Sequence, residues 1–376
     1  MNIVTFLLST GLNLLHVPFA ENIRDERSGV SDSDEISSLS FFPFSLIRHT
    51  PACSTVNIPL GENNLKFSTL PRGFCTNCCP VKISRDVQFR LYNKEEQSGI
   101  PISPLNQKGA AKSAGVRPEW NTVIFIHGFS EISPGESGKA IVDAYLSRPE
   151  NYNIILLDWA ELASFPWYRV AVQNVKLVGK ILKNFIKLYS QSGEIPLEKL
   201  HVIGFSLGCH VASVAGKELK RFKIPRITAL DPAFPEFSLE DRSRRLVESD
   251  ANYVDVIHTD AGIFGFPEPS GNADFYPNGG RALQPGCQPG YLAEQRIVYQ
   301  VLACSHTRAW KLYAESVRNP DAFPATRCGN WKGAANGCNF TLDAYMGFKN
   351  NNSFGQFYLR TGFKPPYGLT SQRGSK

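Results

Sequence analysis

Along this chain, unbroken runs of apolar residues stop abruptly at small or charged ones. "NTVIFIHGF" (121–129), "YNIILLDWA" (152–160), "LHVIGFS" (200–206), "ITALDPA" (227–233) and "YVDVIHTD" (253–260) share this form. Such runs, bounded by turn residues, suit strands buried on both faces. "VQFRLY" (87–92) alternates instead, like a strand whose two faces differ. Between the runs the period becomes helical. From Tyr168 to Tyr189, the residues Val172, Val175, Val178, Ile181, Leu182, Phe185 and Ile186 fall on one stripe. A second helix is expected from Leu207 to about Phe222, and an amphipathic one just after His306. Apolar strands alternating with helices predict an α/β fold, with a mostly parallel sheet covered on both faces. There is no internal repeat.

Four of the runs end in a polar motif: "HGF", "DWA", "GFS" and "LDPA". In open α/β sheets ligands bind beyond the carboxyl ends of the strands. The chemistry is therefore expected along one edge of the sheet.

The sharpest motif on that edge is Gly204-Phe205-Ser206-Leu207-Gly208. G-x-S-x-G between a strand and a helix is a nucleophile elbow, a strained turn that lifts a serine hydroxyl clear of the sheet. Two glycines leave room where side chains would strike the neighbouring strand and helix. The helix that follows points its positive end at the reaction centre. A serine needs a base, and the base an orienting acid. In elbow-type enzymes the chain order is serine, acid, histidine. Asp231, directly after a strand, is the candidate acid. His258 and His306 both follow it, and spacing alone leaves the two open, with a lean to His306. His127 precedes the serine and is out of order. For an oxyanion the candidate donors are the backbone amides of Leu207 and, from the early "FIHGF" loop, Phe129.

Composition narrows the class of protein. The chain has 376 residues, 42% of them hydrophobic and 20% charged, with a net charge of +6. The basic excess is dispersed, which argues against nucleic-acid binding. Residues 1–20 lack charge and read as a secretory signal peptide. Residues 21–52, rich in Ser, Asp and Glu, read as a poorly ordered pro-region or tail. Residues 53–80 hold Cys53, Cys75, Cys78 and Cys79, a disulfide-stapled segment of open connectivity. "CTNCC" is a poor zinc site because no histidine or second CxxC lies nearby. The main domain is expected over 81–366, with a tail at 367–376. Nine cysteines fit an oxidising compartment, where Asn339 and Asn351 would be glycosylation sequons.

The order of "GFSLG", "ALDPAFP", "VDVIHTDAG", "DFYPNGG", "PGCQ" and "ACSHTRAW" resembles the pancreatic (neutral) lipase family over about residues 80–365. The resemblance implies an α/β-hydrolase fold, with Ser206 as nucleophile, Asp231 as acid and His306 as base. It implies a disulfide Cys287–Cys304 closing a lid over the site, and another joining Cys328 to Cys338. It also implies a lipid substrate met at a membrane or micelle interface.

Departures from the family pattern matter too. Phe205 replaces a histidine before the nucleophile, which predicts altered packing rather than lost activity. Cys209 stands where a small aliphatic residue is usual, and is expected to be the unpaired cysteine, a buried inert thiol. The family's calcium loop, R-L-D-x-x-D, reads Arg245-Leu246-Val247-Glu248-Ser249-Asp250 here. Val247 removes an oxygen ligand, so no metal and no other cofactor is expected. The lipid-binding β-sandwich of digestive lipases is not expected, nor a colipase-type partner. The lid and the loop after "VDVIHTD" are short, which favours phospholipase A1 over triacylglycerol lipase. A triad-bearing chain argues against a non-enzymatic, yolk-type binder.

Overall fold

The computed structural model describes residues 53–60, 63–104, 108–220, 222–288, 298–327, 342–350 and 352–369. The leader 1–20, the region 21–52, Cys328, Cys338, Asn339 and Asn351 lie outside the described residues. The strands are β1 (Thr55–Leu60), β2 (Asn63–Ser68), β3 (Gln88–Tyr92), β4 (Ile100–Ile102), β5 (Asn121–Ile126), β6 (Tyr152–Asp158), β7 (Leu200–Phe205), β8 (Arg226–Leu230), β9 (Tyr253–Ile257), β10 (Ala273–Pro277), β11 (Pro324–Arg327), β12 (Ala344–Tyr345) and β13 (Gly355–Leu359). The long helices are α1 (Glu136–Leu146), α2 (Tyr168–Gln191), α3 (Leu207–Leu219) and α4 (Val298–Arg318).

An eleven-stranded sheet runs in the order β12-β11-β13-β10-β9-β8-β7-β5-β6-β3-β4. It is parallel from β6 through to β13 and antiparallel at both ends. The apolar runs are continuous because alternate residues serve two cores. Ile124, Ile126, Ile155, Leu157, Val202, Ala229 and Val256 face the core shared with α2 and α3. Val123, Phe125, Leu156, Ile203, Phe205, Leu230 and Ile257 face the one shared with α1 and α4. Both predicted faces are thus covered, as a two-sided burial pattern requires.

The register sets the site. Ile126 lies opposite Leu157 on one side and Gly204 on the other. Phe205 is level with Leu230, and Leu230 with Ile257. The residues that follow each strand, His127, Ser206, Asp231 and His258, therefore emerge side by side along one edge.

His306 lies within α4, not ahead of it. The polar stretch "CSHT" reads as a loop, but Ser305, Arg308 and Ala309 are buried against the domain, and that packing keeps it helical. The cysteine-rich segment is part of the site's frame. Its bridges are Cys53–Cys79 and Cys75–Cys78. β1 and β2 form a hairpin whose Lys66 and Ser68 amides bond the carbonyls of Ser130 and Phe165, at 2.8 and 3.0 Å. Past residue 366 the chain still packs: the Tyr367 and Gly368 amides donate to Glu315.

Candidate active site

Ser206 adopts φ 55° and ψ −120°, a conformation that L-residues hold only under constraint. Its neighbours supply the constraint. The Ser206 amide donates to Leu230 O at 3.0 Å, and its carbonyl accepts from Cys209 N and Ala233 N. A Cβ on Gly204 would stand 2.5 Å from Gly208 O and 2.6 Å from Cys209 Cα. One on Gly208 would strike the carbonyls of Ile126 and His127. The glycines let helix and strands close to backbone contact, and that contact holds the turn.

Asp231 also has positive φ, 48°. Its Oδ1 accepts the amides of Thr259 at 2.8 Å and Asp260 at 3.1 Å. Its Oδ2 accepts His306 Nδ1 at 2.6 Å, and the carboxylate is fully buried. With Nδ1 committed, Nε2 is the imidazole atom free to accept a proton. Phe205 lies against the same imidazole, ring centroids 4.8 Å apart, on the residue next to Ser206. Among the described residues the Ser206 hydroxyl makes no hydrogen bond.

His258 is held in a structural network of its own. Its Nε2 is 2.8 Å from Asp274 Oδ1, its Nδ1 is 3.2 Å from Phe266 O, and it is wholly buried. Its ring stacks on Tyr276. Both of its nitrogens are used structurally, whereas His306 bonds the Asp231 carboxylate beside the elbow.

The amides of Phe129 and Leu207 donate to no described residue. The loop that carries Phe129 is braced by its neighbours. His127 Nδ1 donates to Gly128 O at 2.8 Å, while its Nε2 accepts Trp159 N at 3.1 Å. Trp159 Nε1 donates in turn to His127 O, and the Gly128 amide donates to Glu131. Leu207 directly follows the strained Ser206 and opens its helix, and an amide so placed can stabilise a developing oxyanion.

Cys209 is free and buried, its Sγ 3.1 Å from Gly204 O. Burial pushes its thiol pKa well up, so the thiol stays protonated and unreactive. The Cys287–Cys304 bridge is formed, at the foot of α4.

Asp260 has no counterpart among the sequence-based candidates. It is fully buried, and neither carboxyl oxygen has a hydrogen-bond partner among the described residues. Ligating atoms of Asp231, Asp260 and His306 lie within 4.8 Å of one another. Burial and then the Asp231 charge push its pKa up to about 8. A buried carboxyl group beside a second one resists ionisation, which is why the shift of Asp260 is upward. The cluster is therefore an acid–base group: both Asp231 oxygens and His306 Nδ1 already serve one another or the backbone. The sequence signal for it is the aspartate that ends "VIHTD", directly after an apolar strand.

A strand–elbow–helix bearing serine, with an acid and a histidine at the carboxyl edge of a largely parallel sheet, defines an α/β hydrolase. The family model Lipase matches residues 67–367, so the chain belongs to the lipase family. It is 34% identical over 304 residues to the pancreatic triacylglycerol lipase of Myocastor coypus, covering 74% of this chain and 65% of that one. It is 32% identical over 288 residues to the probable phospholipase A1 magnifin of Vespa magnifica, covering 73% and 80%. The inactive pancreatic lipase-related protein 1 of Homo sapiens is 34% identical over 266 residues, covering 67% and 56%. The chain thus spans two thirds or less of these vertebrate relatives.

Proposed function

We propose that the protein is a secreted hydrolase of lipid carboxylic esters and that it acts as a phospholipase A1. The Asp231–His306 contact beside the elbow carries the reaction. Ser206 attacks the ester carbonyl, and His306 Nε2 takes its proton and passes one to the departing alcohol. Asp231 fixes the tautomer and steadies the imidazolium. The Leu207 and Phe129 amides hold the tetrahedral oxyanion, each worth about 3–4 kcal/mol in comparable sites. Water then cleaves the acyl-enzyme by the same route in reverse.

The phospholipid preference rests on the cleft wall. The loop between β9 and β10 is short and tied down. Phe234 N donates to Phe264 O and Phe266 N to Pro232 O, each at 2.7 Å, which ties the loop down beside Asp231. A concavity of about 330 Å³ lies there, lined by Ile263, Pro267, Arg281 and Ala282 among others. Arg281 is exposed and makes no ion pair among the described residues, and the exposed Leu283 is nearby in sequence. A low wall leaves a polar head group hydrated, avoiding a burial cost of several kcal/mol. A guanidinium suits its phosphate. The coverage of magnifin, at 80% of that protein, supports the same reading. Secretion fits the disulfides. Among the described residues no helix is long and apolar enough to cross a membrane.

The test is a panel of phosphatidylcholine, phosphatidylserine, galactolipid and triolein, with Ser206→Ala as control. Phospholipid should be hydrolysed fastest, releasing the sn-1 chain. Faster cleavage of triolein would establish a triacylglycerol lipase instead, and primary release of the sn-2 chain would refute the A1 assignment.

A further inference from the structure

The elbow helix is pinned at its far end by an ion pair between the half-buried Lys217 and the buried Asp250. Lys217, on α3, places its Nζ 2.6 and 2.7 Å from the two carboxylate oxygens of Asp250. The same ammonium is 2.8 Å from Arg245 O and 3.0 Å from Ser213 Oγ. Asp250 is 1% exposed, and its Oδ2 also accepts Ser213 Oγ at 2.7 Å and Val247 N at 3.0 Å. Gly216 permits this approach, since a Cβ there would strike the Asp250 carbonyl.

A carboxylate, a main-chain carbonyl and a hydroxyl converging on one point form an oxygen set of the kind that holds a hard cation. Here the cation is part of the chain. Arg245 to Asp250 is also the stretch where the lipase resemblance implies calcium, and the residues present do not fit that ion. Val247 is buried and offers no side-chain oxygen. Any divalent ion reaching Asp250 and Arg245 O would meet the Lys217 ammonium at contact distance, with one carboxylate to offset three positive charges. The neighbouring acid is engaged elsewhere: Glu248 pairs with Arg242 at 2.6 Å. Arg245 directs its guanidinium over the Phe266 ring, away from the pair.

We propose that Lys217 is a tethered replacement for the loop cation, joining the elbow helix to the turn that leads into β9 without a metal. The ammonium's three protons meet the oxygens a metal would otherwise coordinate. β9 ends at the amides that hold Asp231, so the pair braces the Ser206 helix against the Asp231 side of the site.

Thermal unfolding of the whole protein tests this independently of activity. The wild-type midpoint should be the same in EDTA and in millimolar calcium. Lys217→Ala strands a buried carboxylate and should lower the midpoint by about 5–10 °C. Methylammonium or calcium should then recover part of that loss, and neither should act on the wild type. Lys217→Ala combined with Asp250→Asn removes both charges and should be more stable than Lys217→Ala alone. If the single variant does not fold, a folded double variant carries the same conclusion. A wild-type midpoint that falls in EDTA and returns with calcium would overturn the proposal. So would a Lys217→Ala midpoint equal to wild type, one that responds to neither cation, or a double variant no more stable than the single.

Discussion

Asp260 donates its main-chain N–H to Asp231 Oδ1 at 3.1 Å while its own carboxyl group, buried and without a hydrogen-bond partner among the described residues, shares the space around the Asp231–His306 pair. The two carboxyl groups differ in their bonds. Asp231 has three donors that stabilise its charged form, and Asp260 has none of comparable geometry. Their roles should separate accordingly. Asp231→Asn should cost roughly 10⁴ in kcat by breaking the tautomer control of His306. Asp260→Asn, nearly isosteric with a protonated carboxyl group, should cost less than about tenfold. Equal losses in two folded variants would show that both carboxyl groups orient the base.

The same residue predicts a stability profile. Its folded pKa is raised to about 8 from 3.8, so the folded state binds the extra proton between those values. Its contribution is greatest in acid and is lost as pH rises through about 8. Thermal midpoints of the wild type should decline between about pH 4 and pH 8 and level off above, and Asp260→Asn should flatten that decline. An unchanged slope would contradict the assignment.

His210 works in the opposite direction. Its Nε2 donates to Ala233 O at 2.8 Å and its Nδ1 accepts Leu246 N at 3.2 Å, which only the neutral ring can do. Burial drives its pKa down to about 3 from 6.5. The unfolded chain then binds the extra proton, so stability falls as pH drops from 6.5 towards 3. His210→Gln should lower stability at neutral pH yet remove part of this acid dependence, read from midpoints at pH 4 and 7.

The two downstream histidines should part cleanly. His306→Ala should lower kcat by roughly 10⁴ or more, as removal of a general base does. His258→Ala should leave turnover largely intact and instead lower stability, because it removes one partner of the buried Asp274 carboxylate and leaves only the Ser270 and Gly271 amides. An inactive but folded His258→Ala beside an active His306→Ala would reverse the assignment.

The strands that form the site's edge were legible because each is buried on both faces and ends at a glycine or a charged residue. Ser206 was legible because its two glycines have a steric purpose that the strand and helix around them expose. Other features depend on distant partners that a sequence does not pair. The strands β11 and β12 are short and lie at one end of the sheet, too brief to set a period. Lys217 and Asp250 are 33 residues apart, and each read alone is an ordinary surface charge. Asp260 looks like a turn residue until its burial beside Asp231 is seen. His306 reads as loop because the helix around it is held by packing against the domain.

The most direct measurement is mass spectrometry of the intact, folded protein after exposure to a fluorophosphonate. The account predicts one adduct, located by peptide mapping at Ser206, absent in Ser206→Ala and strongly slowed in His306→Ala. A folded protein that takes no label, or takes it at another residue, would contradict the claim that this edge of the sheet is a working esterase site.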